Sequence, residues 1–97
     1  MTNPAFEWDK RKASDNRRKH GVSFEEARSA FLDENARVIP DPEHSDDEDR
    51  FVLLGLSVRL RLWVVVHGHR EAEDVIRIIS ARKADRSERK QYSEFLQ

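Results

Sequence analysis

Two long apolar runs dominate the last third of the chain, and a shorter run precedes them. They are Leu60–His67 and Val75–Ala81, preceded by Arg50–Leu56, and all three are rich in branched aliphatic residues. Segments of this length and composition are typical of β-strands. The links between them, residues 57–59 and 68–74, are short enough for hairpins. The pattern therefore predicts three consecutive antiparallel strands.

Helical patterns with capping residues precede these strands. Asp9 is placed to cap a very basic helix over residues 10–19. Ser23 and Glu26 have the spacing of a capping box, in which each side chain bonds the other residue's backbone N–H. The helix that follows them, over residues 24–32, carries its apolar residues on one face. We therefore predict two N-terminal helices.

Two short strands and one further helix complete the predicted fold. Phe6–Asp9 alternates apolar and polar residues, and Ala36–Ile39 is a short apolar segment that ends at a proline. Asp85 is placed to cap a C-terminal helix. The order β, α, α, β, β, β, β, α predicts one α+β domain over residues 1–97. We expect the helices to cover one face of a small antiparallel sheet and the other face to remain partly open for a ligand.

Composition narrows the class of protein. Apolar residues make up 37% of the 97 residues and charged residues 38%, but the apolar ones fall in blocks that can build one core. The chain contains no cysteine, which favours a cytoplasmic location. The N-terminus lacks the pattern of a signal peptide, and no apolar run approaches the ~20 residues of a membrane helix. We therefore expect no membrane association.

Charge is distributed unevenly along the chain. The first 49 residues hold 8 Lys and Arg against 13 Asp and Glu, whereas the last 48 hold 10 against 6. Much of the acid lies in Asp41–Asp49, which has six carboxylates and is predicted to be a solvated loop. The net charge of −1 argues against a bulk nucleic-acid binder. A local basic surface on the C-terminal half remains compatible with it, because charges are screened over roughly 8–10 Å.

Five basic side chains lie in or just beyond the apolar runs. They are His67, Arg70, Arg77, Arg82 and Lys83. Ionisable groups are costly near a core unless they are paired or have a function. Clustered Arg, Lys and His side chains are well suited to hold a phosphate chain and to act on it.

Each of these groups also has a simpler interpretation. His67 and His69 lie two apart and could be a solvated pair, zinc ligands or, for His67, a proton-transfer group. No third zinc ligand is indicated by spacing. Arg77 either extends to the sheet edge or projects toward a phosphate. The basic helix 10–19 is either a solvated surface or an electrostatic guide for nucleic acid.

Several segments, taken together and in order, resemble a known family. They are Phe6–Asp9, Lys19–Ala27, Asp41-Pro42 with the later Arg50-Phe51, Val64–His67, Ile76–Ala84, Glu88, Arg89 and Tyr92. The strings Lys-His-Gly-Val-Ser-Phe-Glu-Glu-Ala and Ile-Arg-Ile-Ile-Ser-Ala-Arg-Lys-Ala are specific. The chain closely resembles the BrnT family of bacterial toxins from type II toxin–antitoxin systems.

The resemblance implies a RelE-like α+β fold and an endoribonuclease that slows translation without a metal or other cofactor. It also implies an antitoxin of the ribbon-helix-helix type, similar to BrnA, that neutralises the toxin. DNA would then be bound only through the antitoxin. The expected assembly is a dimer of toxin–antitoxin heterodimers or a larger complex.

The candidate site residues form two groups. Arg70 and Arg82 follow from the family motifs as catalytic residues, with His67, or failing it Glu71, to transfer the proton. Substrate binding is expected from four further residues: Arg77, Lys83, Lys19 and His20. We expect the guanidinium groups to converge on one exposed patch. The alternatives are a non-catalytic module that binds an acidic partner protein and, less compatible with the charge, a direct DNA binder.

Overall fold

The computed structural model describes residues 4–41 and 49–96, which form a five-stranded sheet and three α-helices. The elements are β1 (Ala5–Glu7), α1 (Lys10–His20), α2 (Phe24–Ser29) with a 3-10 turn directly after it (Ala30–Leu32), β2 (Arg37–Pro40), β3 (Arg50–Leu56), β4 (Leu62–Arg70), β5 (Val75–Lys83) and α3 (Arg86–Phe95). The predicted α+β class and the order of elements are confirmed. The predicted acidic loop lies almost wholly outside the described residues.

The strand order in the sheet is β1-β5-β4-β3-β2. Neighbours from β2 to β5 are antiparallel, but β1 runs parallel to β5. The expectation of a purely antiparallel sheet is therefore wrong at this edge. A parallel pair needs a long connection, and here most of the domain lies between the two strands.

Helices pack on both faces of the sheet, and this corrects the expectation that all helices share one face. The core on the side of α1 and α2 contains Phe24, Trp63, Val65 and Ile78. The strand residues in between point to the other face of the sheet and contact α3. There Val64 packs with Tyr92. Consecutive apolar residues in a strand point to both faces, so a run without polar alternation requires cover on both.

A bulge in β5 decides which way its basic residues point. His67 of β4 pairs with Ile78, but Val66 pairs with Ser80, so β5 has one extra residue at this point. Strict alternation would put Arg82 on the same face as Ile78. The extra residue reverses the alternation. Arg82 therefore lies on the α3 face, and Lys83 lies on the face of α1 and α2.

Helix α1 is held to the sheet by an amide. Its only buried residue is Asn16, whose Nδ2 donates to the carbonyl of Ala81 (2.9 Å) and whose Oδ1 accepts from the N–H of Ala81 (3.1 Å). Strand β1 pairs with β5 only as far as Arg77. Asn16 thus satisfies backbone groups on the part of the β5 edge that β1 does not cover.

The strands β4 and β5 extend further than predicted. β4 ends at Arg70 and β5 at Lys83, so both residues lie in strands rather than in loops. The β4–β5 turn is correspondingly short, at residues 71–74. Among the described residues, no helix has the length and apolar character needed to cross a bilayer.

Replacement of Asn16 by Asp tests this attachment. The variant keeps the size and one acceptor but loses the donor to Ala81, so we expect the free energy of unfolding to fall by about 1–3 kcal/mol. Urea unfolding measures the difference. Ser14→Ala, an exposed change in the same helix, should alter it by less than about 0.5 kcal/mol. Equal effects of the two variants would contradict the role given to Asn16.

Candidate functional site

Arg70 lies at the last position of β4, beside the β4–β5 turn. Its Nη2 donates to Glu7 of β1 (2.9 Å), and its Nε donates to Glu73 in the turn (3.2 Å). The hydrogen bond to Glu7, together with the one to Glu73, raises the pKa of Arg70. Arg70 therefore joins the turn to the edge strand, and two carboxylates balance its charge.

Arg82 lies on β5 and holds the start of α3. Its Nη1 and Nη2 donate to the two carboxylate oxygens of Glu88, at 2.9 and 2.8 Å. Asp85 caps α3 as predicted, and Glu88 forms a capping box with it. The hydrogen bonds from Arg82 lower the pKa of Glu88 to about 2. The geometry gives Arg82 a structural contact that the sequence analysis did not anticipate.

The two arginines share a face of the sheet but do not meet. Arg82 pairs with Val64, which lies six residues before Arg70 on β4. At 3.3 Å per residue, their backbones are about 20 Å apart. Their guanidinium groups are also directed to different carboxylates. The pair does not form the single patch that we expected.

His67 lies on the opposite face of the sheet from both arginines. The residue is 5% exposed, and the centre of its ring lies 4.8 Å from that of Phe31 and 5.9 Å from that of Phe51. Nδ1 lies 3.2 Å from the carbonyl of Val65, so this nitrogen carries the proton. Burial lowers the pKa of His67. The structure therefore places His67 in the core, away from Arg70 and Arg82.

The zinc alternative finds no support in the described part of the chain. His69 contacts Asp74 (3.2 Å between Nε2 and Oδ1) on the surface. Within residues 4–41 and 49–96, no group of three or more His, Asp or Glu side chains is placed to hold a metal ion.

A cleft of about 570 Å³ brings other predicted residues together. It lies where the C-terminal end of α1, the β3–β4 turn, the end of β5 and α3 meet. Its lining residues are His20, Gly21, Leu56, Leu60, Arg61, Leu62, Trp63, Lys83, Arg89, Tyr92 and Ser93. Among these described residues are three cations and one histidine, but no carboxylate.

Local backbone geometry explains why His20 and Lys83 both line the cleft. Gly21 adopts a left-handed conformation (φ 71°) and ends α1 immediately after His20, as a glycine at this position can do without strain. The β5 bulge turns Lys83 to the side of α1. Of the seven predicted site residues, these two are the ones that line the cleft. Lys19 is adjacent in sequence, whereas Arg70 and Arg77 belong to the other end of the sheet.

Sequence analysis missed the buried carboxylate beside the cleft. Glu26 accepts hydrogen bonds from Ser57 Oγ (2.8 Å), Trp63 Nε1 (2.7 Å) and both Nε and Nη2 of Arg61. The bond from Arg61 is the main reason that the pKa of Glu26 is lowered to about 2. The predicted capping box is thus only half right. Ser23 accepts from the Glu26 N–H (3.0 Å), but the carboxylate turns inward.

Tyr92 forms another fixed part of the cleft wall. Its hydroxyl donates to Asp33 (2.5 Å), which also accepts from the N–H of Leu56 (2.8 Å). Burial and this hydrogen bond raise the pKa of Tyr92 to about 12. The phenol therefore stays protonated near neutral pH and connects α3 to the end of β3.

Comparison with known proteins identifies the family. The family model described as "Ribonuclease toxin, BrnT, of type II toxin-antitoxin system" matches residues 8–88. The chain belongs to the BrnT family. The crystal structure of the Brucella abortus ribonuclease toxin BrnT has a TM-score of 0.64 and 24% identity over 88% of this chain and 100% of that chain. This likeness shows a shared fold. No curated protein matches the chain.

The BrnT match includes three segments that precede α3 in the sequence and line the cleft: the end of α1, the β3–β4 turn and the end of β5. Residues 8–88 include His20, Arg61 and Lys83. Two strings that carried the resemblance, Lys19–Ala27 and Ile76–Ala84, are distant in sequence but contribute His20, Gly21 and Lys83 to the same cleft. The segments that carry the resemblance to the BrnT family thus meet in space at a cleft with three cations among its described lining residues.

Burial of His67 predicts a pH dependence of stability. Its pKa is lower in the folded protein than the ordinary 6.5, so the unfolded chain binds a proton first. His67 therefore stabilises the fold above pH 6.5, and this contribution is lost as the pH falls from 6.5 toward the folded pKa. Each pH unit between the two pKa values corresponds to about 1.4 kcal/mol.

Urea unfolding of wild type and His67→Phe at pH 7.5 and 5.5 measures this effect. The aromatic replacement suits the contacts with Phe31 and Phe51, and it removes the titrating group. We expect the wild type to lose more stability between the two pH values than the variant. An equal loss in both proteins would contradict the assignment of His67 to the core.

Proposed function

We propose that this ribonuclease toxin is a metal-independent endoribonuclease that acts in the cytoplasm and has its active site in the cleft. The observation that carries the proposal is the meeting of His20, Lys83 and Arg89 in a concavity with no carboxylate among its described lining residues. The volume is in the range typical of ligand sites. Because RNA is a polyanion, an unbalanced group of cations in a cleft attracts it.

Electrostatic balance favours the cleft over the residues that we first considered catalytic. Arg70 and Arg82 each form ion pairs with carboxylates in the folded protein. At Arg82 a phosphate would have to displace Glu88 from the outer edge of the guanidinium, and at Arg70 two carboxylates already balance the charge. Lys83 and Arg89 have no carboxylate beside them among the described residues that line the cleft. They can stabilise the negative charge of a transition state without that competition.

The proposed chemistry uses the nucleophile that RNA already contains. The 2′-oxygen attacks phosphorus, a new P–O bond forms, and the bond to the 5′-oxygen breaks, which leaves a 2′,3′-cyclic phosphate and a 5′-hydroxyl. His20 accepts the 2′-OH proton as a general base, the role that histidine side chains fill most often in proton transfer. Arg89 stabilises the charge on the phosphorane, and Lys83 donates a proton to the departing 5′-oxygen.

The remaining predicted residues receive supporting roles. We propose that Arg82 acts through Glu88 by holding α3, and therefore Arg89, against β5. Lys19 extends the basic surface at the rim of the cleft. Arg70 and Arg77 would contact more distant phosphates along the face of the sheet.

The proposed partner follows from the family. Type II toxins act with a protein antitoxin, and we propose one of the ribbon-helix-helix type. It would neutralise the toxin in a dimer of heterodimers or a larger complex and would carry any contact with DNA. We also propose that the fold is RelE-like. Membership of the BrnT family supports these statements.

Replacement of His20 by Gln tests the active site. We expect RNA cleavage to fall by about 10²–10⁴-fold, because the variant cannot transfer the proton. The matched control is His69→Gln, which changes a histidine outside the cleft and should leave cleavage unchanged. A gel assay with a purified RNA measures both rates, and circular dichroism checks that each variant is folded.

Two further conditions test the reaction itself. Cleavage should survive EDTA, and a single 2′-deoxy nucleotide at the scissile position should abolish the product. Full activity of a folded His20→Gln variant would remove the cleft as the active site. Loss of cleavage in EDTA would contradict the metal-independent mechanism. A wild-type protein that cleaves no RNA but binds the neighbouring gene product tightly would favour a non-catalytic interaction module.

A further inference from the structure

The β3–β4 turn, residues 57–61, places one more arginine in the wall of the cleft. We infer that Arg61 binds a phosphate group of the RNA and that Glu26 is a positioning residue that fixes its guanidinium. This inference rests on the proposed ribonuclease function. Neither residue was singled out by the sequence analysis as part of a site.

The contacts of Arg61 fix the plane of its guanidinium and leave one edge available. Glu26 accepts from Nε (2.9 Å) and from Nη2, which occupies one edge of the fork. The guanidinium carbon lies 5.0 Å from the centre of the Trp63 ring, so the group is also held from one side. The side chain remains 43% exposed and lines the cleft. Its Nη1 edge is therefore suited to a phosphate oxygen.

Arg82 provides a contrast within the same protein. It uses Nη1 and Nη2 together to bind Glu88. The outer edge of that guanidinium, which would otherwise grip a phosphate, is occupied. Arg61 is bound through its inner edge instead. Both arginines have a glutamate partner, but only the geometry at Arg61 leaves the outer nitrogen directed away from the carboxylate.

Stability alone does not explain a buried carboxylate at the position of Glu26. Its side chain is 7% exposed, and a buried ion pair often stabilises a protein no more than apolar residues of similar size. Every hydrogen bond that its carboxylate accepts comes from the turn or from Trp63 beside the turn. The carboxylate therefore organises a particular arrangement of donors at the cleft.

The turn itself is under strain. Leu60 has a left-handed backbone (φ 61°), which is unfavourable for a bulky residue, and the residue is 77% exposed at the cleft. Ser57 opposes the strain, since its carbonyl accepts from the Leu60 N–H (2.9 Å) and its hydroxyl donates to Glu26 (2.8 Å). Glu26 thus fixes both the turn and the arginine that the turn carries.

The ligand class follows from the groups that Arg61 faces across the cleft. Lys83 and Arg89 are the other cations of the lining. Three cations from three different elements surround one concavity, and the two non-bridging oxygens of a phosphodiester are complementary to them in the sign of their charge. Arg61 supplies the rigid planar donor, whereas Lys83 supplies a mobile point charge.

The experiment measures binding and cleavage separately. We would use fluorescence anisotropy with an all-2′-deoxy oligonucleotide, which cannot react, and steady-state kinetics with the matching RNA. Arg61→Ala should weaken binding about tenfold or more and lower the slope of log affinity against log salt by about 0.7, the value for one phosphate on a single strand. Arg61→Lys should keep the slope but still lose affinity, because the lysine has no fork.

Glu26→Gln tests positioning and keeps the positive charge of Arg61. We expect a raised KM and weaker binding with an unchanged salt slope. The double variant, with Glu26→Gln and Arg61→Ala, should then bind no more weakly than the Arg61→Ala single variant. A purely structural Glu26 would lower the free energy of unfolding without this non-additive effect on binding. That result would overturn the positioning role.

Arg59→Ala is the matched control, since Arg59 is an exposed arginine in the same turn that does not line the cleft. If Arg61→Ala and Arg61→Lys both bind and cleave as Arg59→Ala does, the inference is wrong. His20→Gln separates this outcome from failure of the proposed function. If the His20→Gln variant loses cleavage, the cleft is still the active site and only the role of Arg61 is wrong. If that variant is fully active, the cleft is not the active site and the proposed function is wrong.

Discussion

The apolar runs of β3, β4 and β5 impose the constraint on which the rest of the structure depends. Their side chains point to both faces, so both faces must be covered. Helices α1 and α2 cover one face and α3 covers part of the other. Because α1 ends and α3 begins near the same end of the β4–β5 hairpin, the two layers leave a cleft between them. The candidate site is therefore a consequence of how the sheet is buried.

Charge pairing divides the basic residues into two classes. Arg70 and Arg82 connect elements of the fold through glutamates, and their charges are largely balanced. Lys83, Arg89 and His20 line a cleft that has no described carboxylate in its wall. Arg61 belongs partly to both classes. Glu26 accepts hydrogen bonds from one edge of its guanidinium, and the other edge lies in the cleft. An anionic substrate is attracted by the second class.

Local sequence signals are sufficient to predict the helices and strands, but not to predict on which face of the sheet each side chain lies. Capping by Asp9 and Asp85 and the apolar runs predict the helices and strands, because each depends on neighbours in sequence. The bulge in β5 depends on cross-strand pairing, which no local pattern reveals. Its one extra residue puts Arg82 on the α3 face and Lys83 on the face of α1 and α2, the reverse of strict alternation. For the same reason, Glu26 was assigned to a capping box although its partners lie 31 or more residues later.

The most direct test of the central claim is an NMR titration of the whole chain with a non-cleavable 2′-deoxy oligonucleotide. We predict that the largest shift changes occur at the end of α1, the end of β5 and the first turns of α3, around His20, Lys83 and Arg89, while the His67 ring is unaffected. Changes centred on Arg70 and the β4–β5 turn, with none at the cleft, would contradict the account.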